Sequence, residues 1–344
     1  MEKLIVSSSP HIKSQRTTRF FMHDVILALI PVWIMGIVYF SYRALVVVAI
    51  SILSCVFFEL LYTKLMKKPA TIKDCSAVVT GLILGLNLPV TVPVYLPIIG
   101  SAFAIIVVKM LYGGLGKNIV NPAAAARIFL FICYSKAMTT WVAPVSGSGV
   151  NASSLPLFTN VDVVSSATPL TYLKDAQQAA TLPAHYSVMD MFMGKTGGCI
   201  GETCAILLIV GGLFLLMRKV ITWHIPVSFI GTVALITFLF PKVTTVSRLD
   251  FMLYHLFSGG LLLGAIFMAT DFATAPTTPL GRVIYGCGCG ILTVVIRYFG
   301  GYPEGVSFSI LIMNFFAWYI DQHTIPKKFG GEKLALGFIK KKAK

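Results

Sequence analysis

The chain has 344 residues, 56% of them hydrophobic and only 12% charged, with a mean hydropathy of +0.83 and a formal net charge of +15 at pH 7. A single water-soluble core cannot bury so much apolar side chain, so composition excludes a soluble domain and predicts a polytopic membrane protein. The basic excess does not imply a nucleic-acid partner, because Lys and Arg gather at the two ends and in short loops between apolar runs, the pattern that sets membrane topology.

Residues 1–20 are polar and basic and lack a short apolar region leading to a small-residue cleavage site, so no removable signal peptide is expected. About 20 apolar residues cross a bilayer as a helix. On that measure ten spans are predicted, at 21–40, 44–63, 76–95, 97–112, 122–140, 200–217, 223–240, 251–270, 282–298 and 304–320. The first five form a unit over 21–140, a loop covers 141–199, the second five occupy 200–320, and 321–344 is a basic tail.

Ten crossings put both termini on one side. With the termini inside, and with Lys136 and Arg282 near span ends counted with the loops they adjoin, 19 Lys or Arg fall in inner segments and six in outer ones, leaving Lys109, Arg127 and Arg297 within spans. Cytoplasmic termini and an external 141–199 loop are therefore expected. The terminal lysines also suit anionic membrane lipid.

A faint internal repeat links the two units. Thr80-Gly-Leu-Ile-Leu-Gly85 resembles Gly259-Gly-Leu-Leu-Leu-Gly264 at an offset of 179, and Val107-Val-Lys-Met-Leu-Tyr-Gly-Gly114 resembles Val294-Val-Ile-Arg-Tyr-Phe-Gly-Gly301 at 187. Asn121-Pro122 and Tyr302-Pro303 open the fifth and tenth spans at 181. Two units of five spans must have opposite orientations, the plan of inverted-repeat membrane proteins. Lys109 and Arg297 are expected at opposite ends of their spans, each snorkelling to its nearest interface. Asp24, Glu59, Glu202 and Asp271 read as ordinary exposed charges near span ends. Seven cysteines without paired Cys-x-x-Cys spacing favour buried thiols over disulfides or a metal cluster.

Two stretches are too rich in Gly and Pro for lipid-facing helix. One runs Gly113-Gly-Leu-Gly-Lys117-Asn118-Ile-Val-Asn121-Pro122-Ala-Ala-Ala-Ala-Arg127. The other runs Met268-Ala-Thr270-Asp271-Phe-Ala-Thr274-Ala-Pro276-Thr277-Thr278-Pro279-Leu-Gly281-Arg282. Broken backbone is tolerated at membrane depth only where protein or a lined cavity satisfies its polar groups, so each is expected to face the interior. Asn121 and Thr278 fit helix caps ahead of proline, and amides at such breaks can bind anions or polarised carbonyls.

A third patch, Asp162-Val-Val-Ser165-Ser166-Ala167-Thr168, ends a small-residue run in a threonine hydroxyl with a carboxylate six positions upstream. The local sequence holds no activating histidine, so a phosphoester at Thr168 needs a separate transferase. This pattern resembles the Asp-x-x-Ser-x-Ala-Thr target on which a flavin transferase links FMN, through its phosphate, to threonine. Together with the Gly-Lys-Asn-x-x-Asn-Pro-Ala and Met-Ala-Thr-Asp segments, the resemblance is to the D subunits of Rnf complexes and the related B subunits of sodium-pumping NADH:quinone reductases. It covers nearly the whole chain. The short N-terminal segment favours the Rnf type.

The resemblance implies an all-α integral membrane protein of about ten transmembrane helices in two inverted five-helix repeats, similar in fold to urea transporters, in a prokaryotic plasma membrane. It implies covalent FMN at Thr168, with Asp162, Ser165, Ser166 and Ala167 in the attachment motif; Ser166 stands where many such sites have Gly. It also implies noncovalent riboflavin, for which Asn121, Arg127, Asp271 and Thr274 are candidate contacts. The activity implied is electron relay within a complex that couples ferredoxin:NAD+ oxidoreduction to Na+ or H+ translocation. Partners would be the A, B, C, E and G types of subunit and the flavin transferase, with ferredoxin and NAD handled by partner subunits. No dinucleotide fingerprint or phosphate loop is present in the chain. A channel or solute transporter with no chromophore is the competing reading, and a hydrolase finds no nucleophile, base and orienter set.

Overall fold

A computed structural model describes residues 17–68, 71–142, 144, 168–171, 173–174, 187–202, 204–243, 247–301 and 304–325. Among them all regular structure is helical. Helices α1 (Thr18–Phe40) and α2 (Tyr42–Leu65) meet at Ser41, whose φ of 63° reverses the chain. Next come α3 (Ser76–Leu86), α4 (Tyr95–Met110, its second half a π-helix) and α5 (Pro122–Cys133). A short α6 (Val188–Met193) precedes α7 (Ala205–Met217) and α8 (His224–Leu239). Then α9 (Arg248–Phe257) bends by 60° into α10 (Leu261–Met268), followed by α11 (Pro279–Phe299) and α12 (Val306–Thr324).

Helices α1, α2 and α11 are each long and apolar enough to cross a bilayer, as are α9 and α10 taken together; α3, α4, α5, α7 and α8 are shorter apolar helices. Side chains are arranged inside out relative to a soluble protein. Leu53, Met217 and Phe299 lie two-thirds or more exposed, whereas Arg43, Glu59 and Lys109 are almost completely buried. Lipid outside and protein partners inside account for that inversion.

The spans expected at 76–95 and 251–270 are not continuous helices. Pro89 and Pro93 carry no N–H, so α3 stops at Leu86 and helix resumes only at Tyr95. The carbonyls freed there are taken by Arg43, which donates to Val90 (2.6 Å), Thr91 (3.1 Å) and Val92 (3.2 Å). In the second half the chain turns at Gly259 and Gly260, with φ of 76° and 62°. There Arg297 donates to the carbonyls of His255 (2.6 Å), Ser258 (3.0 Å) and Gly259 (3.4 Å).

Snorkelling, expected for Lys109 and Arg297, does not occur. Arg297 is turned inward onto those carbonyls, and the Lys109 ammonium lies 2.6 Å from Glu59 and 2.8 Å from Ser76. Nor are Glu59 and Asp24 exposed, because Lys109 neutralises the first and Arg218, at 3.0 and 3.2 Å, the second. In each case an opposite charge or a row of carbonyls lies within the interior, where a lone charge would be costly. The expected start of helix at 200 also shifts, to Ala205. Residues 198–201 are buried, and the amides of Ile200 and Gly201 donate to the carbonyls of Leu88 (3.1 Å) and Leu86 (2.7 Å) in the break after α3.

Contact between α2 and α3 is backbone on backbone. A methyl group at Gly81 would stand 2.7 Å from the Cα of Ile52, and one at Gly85 2.9 Å from the Cα of Val48. Gly81→Ala is therefore expected to push α3 off α2 and to cost about 1–3 kcal/mol. The measurable result is a lowered unfolding temperature of the detergent-purified protein by fluorescence-detected size exclusion.

Candidate functional site

The two Gly/Pro-rich stretches converge on one chamber, enclosed by α1, α3, α4, α7 and α10 and by the segments that follow α4 and α10. Its volume is about 80 Å³, several times the roughly 10–15 Å³ that one water requires. Phe21, Val79, Ile83 and Phe267 supply apolar wall, and Lys109, Asn118, Asn121 and Asp271 supply polar wall.

Asn121 has two tasks. Its Oδ1 accepts from the amides of Ala123 (3.0 Å) and Ala124 (3.2 Å), capping α5 ahead of Pro122, while its Nδ2 donates to the Met268 carbonyl (3.0 Å). One side chain thus ties the two irregular stretches together. The carboxylate of Asp271 accepts from the Thr274 hydroxyl (3.3 Å) and the Ala273 amide (3.5 Å). Thr274 itself is buried behind Asp271 and is not part of the chamber wall. Asn118 is buried, and its Oδ1 has no hydrogen-bond partner among the described residues.

Arg127 lies outside that wall. Its guanidinium donates to Asn87 Oδ1 (3.1 Å), Ser307 Oγ (3.2 Å), Cys199 Sγ (3.3 Å) and the Glu304 carboxylate. It therefore joins α5, the break after α3, the buried 198–201 segment and α12. Cys199, Glu202 and Glu304 place three potential ligand atoms within 4.8 Å of one another. The cation already seated against two of them is the Arg127 guanidinium. All seven cysteines are free thiols; Cys55, Cys199, Cys204 and Cys289 are buried, whereas Cys133 is exposed.

Thr168 sits apart from the chamber, at the start of a helical turn at 169–171. It is 4% exposed. Its Oγ1 lies 2.9 Å from the Thr171 hydroxyl and accepts from the Thr171 amide at 3.3 Å, an N-cap arrangement. Leu170 and Leu173 pack with Val243 and Phe251, and Lys174 donates to the carbonyls of Gly300 (2.7 Å) and Gly301 (2.6 Å). An ester on Oγ1 requires this turn to open. Asp162, Ser165, Ser166 and Ala167 lie outside the described residues.

A family model described as "NQR2, RnfD, RnfE family" matches residues 5–330. The chain belongs to that family. It is 42% identical over 343 residues to the D subunit of the Na+-translocating ferredoxin:NAD+ oxidoreductase complex of Acetobacterium woodii, covering 99% of this chain and 98% of that protein. It is 43% identical to the D subunit of the proton-translocating ferredoxin:NAD+ oxidoreductase complex of Clostridium ljungdahlii, over 94% of this chain and 96% of the relative. Likeness to the D subunit of the ion-translocating oxidoreductase complex of Alcanivorax borkumensis is 39%, over 95% and 97%.

In this member of the NQR2, RnfD, RnfE family, two of the four residues singled out from the sequence, Asn121 and Asp271, lie on the chamber wall and Arg127 and Thr274 do not; the sequence held no sign of Lys109 and Asn118 there, or of Asn87, Cys199, Glu304 and Ser307 around Arg127. Asn118 stood inside a Gly/Pro-rich stretch, and Glu304 follows the Tyr302-Pro303 pair that opens the tenth predicted span. Nothing beside Glu304 in the sequence pointed to Arg127. Arg127→Met is expected to cost about 3–5 kcal/mol, since it strands the Glu304 carboxylate among buried groups. Adding Glu304→Leu should restore part of that loss, as measured by thermal unfolding of the purified variants.

Proposed function

We propose that this chain is the D subunit of an ion-translocating ferredoxin:NAD+ oxidoreductase complex and relays electrons within it. The observation that carries the reading is near full-length similarity, at 42% and 43% identity, to two proteins bearing that name. In this reading the helices make ten crossings as two inverted five-helix repeats like those of urea transporters. Support comes from matched devices in the two halves: Lys109 near the end of α4 bonds Ser76 at the start of α3, and Arg297 near the end of α11 bonds His255 near the end of α9. Both termini are cytoplasmic in a prokaryotic plasma membrane, and the loop carrying Thr168 is external.

The Thr168 hydroxyl is the attachment point for FMN through a phosphoester, made by a separate flavin transferase that recognises Asp162, Ser165, Ser166 and Ala167. The hydroxyl serves that role only after leaving Thr171. Riboflavin is the second cofactor, and the chamber is its binding place in this reading. The chamber's polar groups suit a ring that carries both carbonyls and an N–H. Its 80 Å³ is smaller than the roughly 300–1,000 Å³ usual for pockets holding drug-sized ligands, so side chains of the wall must swing aside on entry. A bound flavin supplies one- or two-electron transfer. The apolar wall would hold the ring and exclude water, with Asn121 and Asp271 available as its polar contacts. Ferredoxin and NAD are bound by partner subunits of the A, B, C, E and G types, and lipid covers the apolar exterior.

Thr168→Val tests the covalent link. On a denaturing gel of protein co-expressed with the transferase, flavin fluorescence should migrate with the wild-type band and vanish from the variant, with membrane insertion unchanged. An unmodified mass for the wild-type peptide spanning Thr168 would overturn the assignment and favour a chromophore-free transporter.

A further inference from the structure

A second hollow, separate from the chamber, lies on the outer surface between α4, α5 and α12 and has a volume of about 380 Å³. No residue lines both. Phe103, Val107, Ile128, Phe129 and Phe315 form much of its wall, which is apolar apart from the Tyr112 hydroxyl. Phe103 and Phe129 stack with ring centres 4.3 Å apart toward one end, and the half-exposed Tyr112 and Ile119 frame an open mouth at the other. From Phe103 to Tyr112 the chain takes nine residue steps, at most about 14 Å at 1.5 Å per residue. That length matches one leaflet, roughly half of a hydrocarbon core about 30 Å thick. A partner helix crossing the whole membrane would use twice as much.

The mouth is basic. After Tyr112 the chain turns through Gly113, Gly114 and Gly116, with φ of 113°, 95° and 85°. Lys117 folds back over Gly113, where a Cβ would stand 2.8 Å from the lysine Cδ and 3.6 Å from its Nζ. The ammonium is thereby held next to Tyr112, at the rim of the groove. Gly116 is exposed, and nothing lies within 4 Å of where its Cβ would stand, which leaves room for a headgroup. The end of α2 is on this side too, because Glu59 bonds Lys109 near the end of α4, and the exposed Lys64, Lys67, Lys68 and Lys73 lie at or just beyond it. Asp74 stands against them, whereas Glu59 is neutralised by Lys109 and Asp321 accepts from the amides of Thr277 and Thr278, so positive charge prevails. We propose that the groove binds one anionic phospholipid, with an acyl chain lying between α4, α5 and α12 and the phosphate held by Lys117 over the glycine turn. Helices α4 and α5 come from the first half of the chain and α12 from the second, so this lipid fills a seam between the halves and stabilises their packing.

The test strips lipid from the full chain in detergent, adds back phosphatidylglycerol or phosphatidylcholine, and counts bound lipid by native mass spectrometry. The wild-type chain is expected to retain one phosphatidylglycerol in preference to phosphatidylcholine and to unfold at a higher temperature with it. Lys117→Gln should weaken retention of phosphatidylglycerol about fivefold, the effect of one lysine near an anionic surface, and leave phosphatidylcholine unchanged. Val107 is 41% exposed on the groove wall, and Val107→Trp should lower retention of both lipids roughly tenfold, the loss of about two buried methylenes. Leu53, 68% exposed on α2 and outside the groove, provides the control: Leu53→Trp should bind as the wild type does. Equal retention of the two lipids, or a Val107→Trp chain that binds like the wild type, overturns the proposal. A Val107→p-benzoylphenylalanine chain photolysed in native membranes should label phospholipid; label on a partner polypeptide would make the groove a subunit interface and overturn the proposal as well.

Discussion

Interrupted helix inside a membrane leaves carbonyls that water cannot reach, and in this protein the architecture depends on arginine side chains turned onto them. Arg43 covers Val90, Thr91 and Val92, and Arg297 covers His255, Ser258 and Gly259. Charge-assisted bonds of this kind are among the stronger hydrogen bonds available to a protein. They allow α3 to stop at Leu86 and α9 to turn into α10 without exposing open backbone to lipid. Asn121 adds a neutral version by joining the start of α5 to the end of α10. With the breaks secured, the chain can place loop segments at depth, and the chamber lies between two of them.

Three ion pairs among the described residues connect different helices. Asp24 on α1 meets Arg218 just beyond α7, Glu59 on α2 meets Lys109 on α4, and Arg127 on α5 meets Glu304 just ahead of α12. Buried ion pairs are weak contributors to net stability, because desolvation offsets most of their attraction, but losing one partner is severe. Their effect here is on registration. A helix that slid by one turn would leave a charge facing hydrocarbon, so each pair narrows the arrangements open to otherwise featureless apolar cylinders.

What the sequence made legible follows from the range of its signals. Apolar runs revealed the helical membrane character, and Gly and Pro marked the two irregular stretches, because both signals act within a few residues. The break at 87–94 carried its own sign in Pro89 and Pro93, yet the apolar length around them suggested one continuous span. Partners forty or more residues apart left no trace: nothing near Lys109 pointed to Glu59, and nothing near Arg127 pointed to Cys199 or Asn87. Local reasoning therefore sent Lys109 and Arg297 to the interface by default, whereas tertiary contacts drew them inward. The sequence placed Thr168 in a loop, and packing of Leu170 and Leu173 puts its hydroxyl in a buried cap.

That cap bears on the timetable of biogenesis. A hydroxyl engaged by Thr171, with Leu170 and Leu173 below it and Lys174 fastened to Gly300 and Gly301, is sheltered from any modifying enzyme. Its anchors lie on α9 and at the far end of α11, so they reach the membrane well after position 168 has been synthesised. For the interval before those helices arrive, the threonine has nothing to settle against. If Thr168 is modified as proposed, the reaction has to precede the closing of its own berth, and the late arrival of the second half would give the enzyme its opportunity.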